Sequence, residues 1–237
     1  MTQLPSYDWL NTFCVIWFLL CWVSYSQFAK AMAKKTHSLS SLLHFYRIDW
    51  MRRMLDRDQR VSDASLISNL ERNVNFFAST TLLILAGIVT VLSSTDDAFT
   101  ILERLPFAIG VSATALQLKL LLLTGVFVYA FFTFTWSMRQ YNFCSSLLGA
   151  APMPDDASVS DEERDRYALY SAKVIDQAAH AYNYGLRAYY FGMSILAWFI
   201  NPWFFIAAVA FVVAVLYWRE FHSKPLKSML KIYNHQK

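Results

Sequence analysis

The stretch from Ala188 to Trp218 reads AYYFGMSILAWFINPWFFIAAVAFVVAVLYW, and its reading decides the fold. It is apolar throughout, yet longer than the roughly 20 residues that one membrane-spanning helix needs. Asn201-Pro202 interrupts it, and that dipeptide favours a turn and restricts helix continuation. The stretch is therefore either one long kinked helix or a tight hairpin of two short spans. The flanking charges arbitrate. Arg187 precedes it, and Arg219, Lys224, Lys227, Lys231 and Lys237 follow it. Basic residues concentrate on the cytoplasmic side of membrane proteins. Both flanks therefore belong on the same side, and only an even number of crossings between them achieves that. The hairpin is the expected form. Its first arm, Ala188 to Asn201, gives only about 20 Å of helix at 1.5 Å per residue, so that helix is expected to start lower, near Tyr184. Trp198 and Trp203 are expected to flank an outer turn at interface depth. Tyr189, Tyr190, Tyr217 and Trp218 are expected to mark the inner interface.

Working outward, three more apolar runs appear. Trp9 to Ala29 contains no charge, Phe76 to Ser93 is a second run, and Gln117 to Trp136 is broken only by Lys119. Lys119 falls about 25 Å from Trp136 along a helix, where it is expected to snorkel at the outer interface. Between the first two runs lie Lys30, Lys34, Lys35, Arg47, Arg52, Arg53, Arg57, Arg60 and Arg72. Between the next two, Arg104 stands beside Asp96, Asp97 and Glu103. Basic and acidic loops thus alternate. The chain reads as an all-α polytopic membrane helix bundle of about five spans, the last two a short hairpin, with the N-terminus outside and the C-terminus cytoplasmic. No organelle-targeting segment is visible, so a bacterial inner membrane is the expected location. Residues 1–8 carry Asp8 and no Lys or Arg, which suits an uncleaved anchor better than a signal peptide.

Composition agrees. Hydrophobic residues make up 56% of the chain and charged residues 16%, against about a quarter in soluble domains. Cys14, Cys21 and Cys144 have neither zinc nor redox spacing, so buried apolar roles are expected for them. No Walker loop, dinucleotide glycine pattern, nucleophile elbow or His-Glu-x-x-His is present, and no cofactor, resident metal or nucleic-acid partner is expected.

The inner connections are themselves helical. Leu39, Leu42, Leu43, Tyr46, Trp50 and Met54 recur at helical spacing, predicting an amphipathic helix from about Ser38 to Arg57. It lies on the membrane surface or packs beneath the bundle. Asp63 is the expected N-cap of a helix running to Ser93, and the third span is expected to continue to Gly149. AAPMPDD (150–156) reads as loop. Ser160-Asp161-Glu162-Glu163 reads as a capping box that opens a helix feeding the hairpin. The expectation is a single membrane domain over 1–237, with a cytoplasmic helical layer from 30–75 and 138–187.

Three blocks carry a family resemblance. The first is Arg47, Trp50, Met54, Leu55 and Asp63 ahead of Phe76-Phe77-Ala78-Ser79-Thr80. The second is Phe134-Thr135-Trp136-Ser137-Met138-Arg139-Gln140-Tyr141-Asn142 with Gly149. The third is Asn183-Tyr184-Gly185-Leu186-Arg187-Ala188-Tyr189-Tyr190-Phe191 with Trp198 and Pro202. Together they resemble the domain-of-unknown-function 599 family of multi-pass membrane proteins. The resemblance implies a membrane location and a helical fold, and no activity.

Asp176, His180, Asn183 and Arg187 fall on one helix face, beside the small residues Ala178, Ala179 and Ala181. A polar stripe entering a bundle needs inward partners or a wet cavity. Arg139, Tyr141 and Asn142 reach the same depth on the third span and Asn69, Arg72 and Asn73 on the second; Arg47 is near enough to join. The expected site is a basic, amide-rich pocket of Arg47, Arg72, Arg139, Tyr141, Asn142, His180, Asn183 and Arg187. Guanidinium forks match phosphate and carboxylate, and lipid headgroups are the nearest anions. The partners expected are membrane lipids, a small anion and a second copy of the chain, the last through Ala207, Ala210 and Ala214. The leading function is a non-catalytic lipid- or anion-binding membrane protein, such as a transporter or channel subunit. One alternative is a scaffold whose polar cluster is purely structural. Another is a lipid-headgroup enzyme using His180 with Asp176 as its orienter. Asp176 and His180 alone are too few ligands for a metal, and His37 and His44 look poorly placed to complete a set.

Overall fold

A computed structural model describes residues 9–33, 36, 38–94, 100 and 113–235. The expected outer loop with Asp96, Asp97, Glu103 and Arg104 lies outside the described residues, as do 1–8, Lys34, Lys35 and His37. Seven helices account for most of the described chain: α1 (Trp9–Ala33), α2 (Leu39–Leu55), α3 (Val61–Ser93), α4 (Ala113–Gly149), α5 (Asp161–Ile200), α6 (Pro202–Phe221) and α7 (Lys224–His235). The chain is an all-α bundle of membrane-type helices. Four of its segments are long and apolar enough to cross a bilayer: Trp9–Met32, Val61–Ser93, Thr114–Gly149 and Pro202–His235. The apolar part of the last is α6.

The helix ends follow from local chemistry. Ser160 caps α5, accepting from the Glu163 N–H, while the Glu163 carboxylate accepts from the Ser160 N–H. Ser38 and Ser41 form the same reciprocal cap at α2. Asn201 adopts an extended backbone (φ −157°, ψ 134°), its side chain accepts from the Trp203 N–H, and Pro202 supplies the first residue of α6, where no N–H is needed. The hairpin is therefore real: α6 runs back antiparallel to α5, and the Trp198 ring stacks on Phe205 with centroids 4.8 Å apart.

Asp63 corrects the sequence reading. It sits inside the first turn of α3, whose N-cap is Arg60 without a side-chain cap. Its carboxylate is fully buried and accepts instead from Trp50 Nε1 (2.7 Å) and Arg57 Nη1 (2.5 Å), fastening α2 to α3. Arg60 donates to the Ala151 and Pro152 carbonyls, and Arg164 to Leu55 and Met153, tying the α2–α3 corner to the loop before α5.

Helices α3, α4 and α5 are about 50, 55 and 60 Å long at 1.5 Å per residue, far beyond a hydrocarbon core of about 30 Å. Their common excess, with α2 and α7, forms a layer beneath the bundle, and α2 packs against α5 within it. The central pair is α4 and α5. Gly185 and Gly192 lie on the α5 face toward α4, against Phe134 and Phe127. Ser137 Oγ donates to the Ala178 carbonyl at 2.7 Å. Phe77, Phe134, Tyr182 and Tyr189 form one ring cluster, and the Tyr189 hydroxyl meets Thr81 Oγ1 at 2.8 Å. Tyr189 is half-buried and packs against the core.

Two outer-side expectations change as well. Trp198 is fully buried against protein and donates from Nε1 to Asn11 Oδ1 at 3.0 Å. Lys119 does not snorkel. It is buried, and its Nζ donates to the Trp198 carbonyl at 2.9 Å, in the last turn of α5. A helix end leaves four carbonyls without partners and a partial negative charge, and both conditions favour an ammonium there. Cys14 and Cys144 are buried and Cys21 is half-buried, with no disulfide among the described residues. Ala207, Ala210 and Ala214 face outward from α6.

Candidate functional site

The polar stripe on α5 splits into two parts with different environments. Asp176, on the lower turn, is buried, with one carboxylate oxygen 2.5 Å from Arg47 Nη1 and the other bonded to His44 Nδ1. Both partners come from α2, so this is the latch that holds α2 against α5. His44, which looked badly placed in the sequence, is a direct partner of Asp176. Asp176 therefore orients His44 and not His180. The N-terminus of α2 has its own anchor: Glu220, near the end of α6, accepts from the Ser40 N–H at 3.2 Å. A carboxylate at a helix N-terminus satisfies an orphan N–H and the helix dipole together.

Above the latch, two adjoining cavities of about 490 and 630 Å³ meet along α5 and share Ser40, His180, Asn183, Arg187 and Glu220. The first continues between α2, α5 and α6, past Tyr25, Tyr190, Leu216 and Arg219, to Lys224. The second continues between α1, α4 and α5, past Lys30, Thr133 and Trp136, to Gln140. Glu220 is the one acid among the described residues lining either cavity, and α2 already engages it.

Three of the cations that face these cavities are held by aromatic faces. Arg187 lies 5.4 Å from the Tyr25 ring centre and 5.6 Å from that of Tyr184. Lys30 lies 5.9 Å from the Tyr184 ring. Arg219 lies 5.4 Å from the Tyr190 ring and donates to its hydroxyl. None of the three pairs with a carboxylate among the described residues. A ring face orients a guanidinium without consuming its N–H edge, which stays open for a ligand oxygen. His180 is held below its ordinary pKa. The loss of water around it is the chief cause, Asp176 opposes, and Arg47 and Arg187 add to the lowering. The fixed positive charges at the site are those of arginine and lysine. Gln140 is buried, and its Oε1 has no hydrogen-bond partner among the described residues.

Of the eight residues singled out in the sequence, the structure brings Arg47, His180, Asn183 and Arg187 into one cavity. Tyr141 is buried in the core beside it. Arg72, Arg139 and Asn142 are exposed and line neither cavity, and Arg139 lies over the Phe143 ring on the open side of α4. Lys30, Arg219, Glu220, Tyr25 and Gln140 were missed. Lys30 and Arg219 were visible only as charges marking the inner ends of spans, and nothing in the sequence turns them toward α5.

The family described as "Protein of unknown function, DUF599" matches residues 13–225. The chain belongs to that family. The match covers all three resemblance blocks and every residue that lines the two cavities, so the site lies within the family's own domain. No curated protein and no solved structure matches the chain.

Proposed function

We propose that this family member is a non-catalytic, multi-pass membrane protein that holds an anion, a phosphate or a carboxylate, in the paired cavities around Arg187. One observation carries the reading: a guanidinium fixed between the Tyr25 and Tyr184 rings, facing both cavities, with no oxygen partner among the described residues. Bidentate arginine contacts to such anions are among the stronger hydrogen bonds available to a protein. Helices α3, α4 and α5 run unbroken through the bundle. Transport sites at mid-membrane are commonly built from interrupted helices, so binding is favoured over passage.

Titration of inorganic phosphate and of glycerol 3-phosphate into the purified full-length protein tests this reading. Arg187→Ala should weaken binding about tenfold or more, the scale of a hydrogen bond to a charged group. Arg187→Lys should recover part of it, keeping the charge and losing the fork. Equal binding by all three forms would overturn the proposal.

The Asp176 latch favours a second, structural reading for its own residues, because Arg47 and His44 are already satisfied within the protein. That reading does not extend to Arg187. The enzyme reading loses its dyad, since both oxygens of Asp176 are engaged by α2.

A further inference from the structure

The second cavity has a wall that the anion reading leaves unexplained. Helices α1 and α4 touch where the Trp22 ring meets Tyr129, centroids 5.4 Å apart. One and two turns below Tyr129, Thr133 and Trp136 line the cavity; two turns below Trp22, Ala29 and Lys30 line it from the other side. The two helices therefore part beneath the Trp22–Tyr129 contact and leave a slot that leads to Arg187. Both are apolar enough to cross a membrane, and α2 borders the cavity with Ser41, His44 and Phe45.

We infer that this slot admits one anionic glycerophospholipid from the leaflet nearer α2, with its phosphate on Arg187 and Lys30 and an acyl chain lying between α1 and α4. The inference rests on the anion reading and commits that site to a membrane source. Three features carry it. The first is charge: Lys30 and Arg187 both line the cavity, neither paired with a carboxylate among the described residues. The second is size. Pockets of roughly 300–1,000 Å³ hold ligands of many atoms, and the second cavity alone measures about 630 Å³, far more than one inorganic anion fills. The third is Gln140. It is nine-tenths buried in the cavity wall, and its Oε1 lacks a donor among the described residues. A buried acceptor left unpaired is costly, and a glycerol headgroup brings a hydroxyl that would satisfy it once the Gln140 amide turns toward the cavity.

The full-length protein in detergent is titrated with dioleoylphosphatidylglycerol, and bound lipid is counted by native mass spectrometry. Glycerol 3-phosphate is titrated in parallel by calorimetry. Thr133→Trp and, from the opposite wall, Ala29→Trp fill the slot without touching a cation, and thermal unfolding confirms that each variant is folded. The lipid should bind wild type more tightly than glycerol 3-phosphate does. Either slot-filling variant should weaken lipid binding about tenfold or more and weaken glycerol 3-phosphate binding far less. Arg187→Ala should weaken both ligands. Lipid affinity unchanged in both folded slot variants would overturn the slot. Lipid no tighter than glycerol 3-phosphate would overturn the membrane source and leave the anion reading standing. Wild type binding neither ligand would remove both proposals.

Discussion

Asp176 is the α5 side chain that holds α2, because both of its oxygens are engaged by that helix. Truncating it strands Arg47, whose side chain is 18% exposed. Removing one partner of a buried pair costs about 3–5 kcal/mol, so Asp176→Ala should lower the unfolding midpoint substantially and expose α2 to proteolysis. Arg139 is the counter-case. It is exposed and makes only a ring contact with Phe143, and such surface changes stay within about 0.5 kcal/mol. Thermal unfolding of both variants in the same detergent checks the pair; an Arg139→Ala loss as large as that of Asp176→Ala would contradict the assignment. The sequence made the polar stripe on α5 legible, since Asp176, His180, Asn183 and Arg187 share a helix face whatever surrounds them. It could not show which partner each takes. His44 and Arg47 stand 132 and 129 residues from Asp176, and no local pattern encodes that proximity. The same limit hid the roles of Lys30 and Arg219, which the sequence marked only as topological charges.

Helix α5 is buried along much of its length, with Ala168, Ala172, Ala178, Ala188, Phe191 and Ile195 all fully enclosed. That burial depends on small residues where α4 crosses it. A Cβ added at Gly185 would fall 2.5 Å from the Phe134 ring, itself fully buried and ringed by Phe77, Tyr182 and Tyr189. Overpacking of this kind costs about 1–3 kcal/mol, while alanine gains about 1 kcal/mol over glycine in helix propensity. Gly185→Ala should therefore be destabilising on balance, as the aromatic cluster has little room to shift. Gly125, on α4, has nothing within 4 Å of its added Cβ, so Gly125→Ala should be neutral or mildly stabilising. Unfolding midpoints that move together in the two variants would disprove this account of the crossing. At this scale the sequence was informative about helix ends. Ser160 with Glu163, and Asn201 with Pro202, act through neighbours three or fewer residues away. It misread Asp63, whose position looks like a cap but whose oxygen goes to Trp50 on α2 and Arg57 in the connection that follows it.

Across the whole molecule, four segments pass the length and composition test for a span, and the upper half of α5 does not. The reason lies in its position. Asn183, Arg187 and several tyrosines reduce its hydropathy, yet α4 and α6 pack against it and Phe18 of α1 meets Phe191. A helix surrounded by protein need not be apolar toward lipid. Tyr184 to Ile200 gives about 25 Å of helix, close to the hydrocarbon thickness of about 30 Å, and α6 returns beside it from the Asn201 turn. This is why hydropathy alone finds one span fewer than the charge pattern does. The proposed topology has five crossings, with the layer built on α2 and α7 in the cytoplasm and the end of α3 outside. The layer is strongly basic at its membrane junction, where Lys30, Arg47, Arg187, Arg219 and Lys224 gather around the cavities, and basic residues are retained on the cytoplasmic side. Single cysteines at Ser94, exposed at the end of α3, and at Ser228, exposed on α7, test it in a background lacking Cys14, Cys21 and Cys144. An impermeant maleimide applied to intact cells should label position 94 and label position 228 only after the membrane is opened. Labelling of both from outside would mean that α5 does not cross and would separate the cavities from the cytoplasmic leaflet. Labelling of position 228 alone would invert the whole bundle and place Arg187 on the opposite side of the membrane.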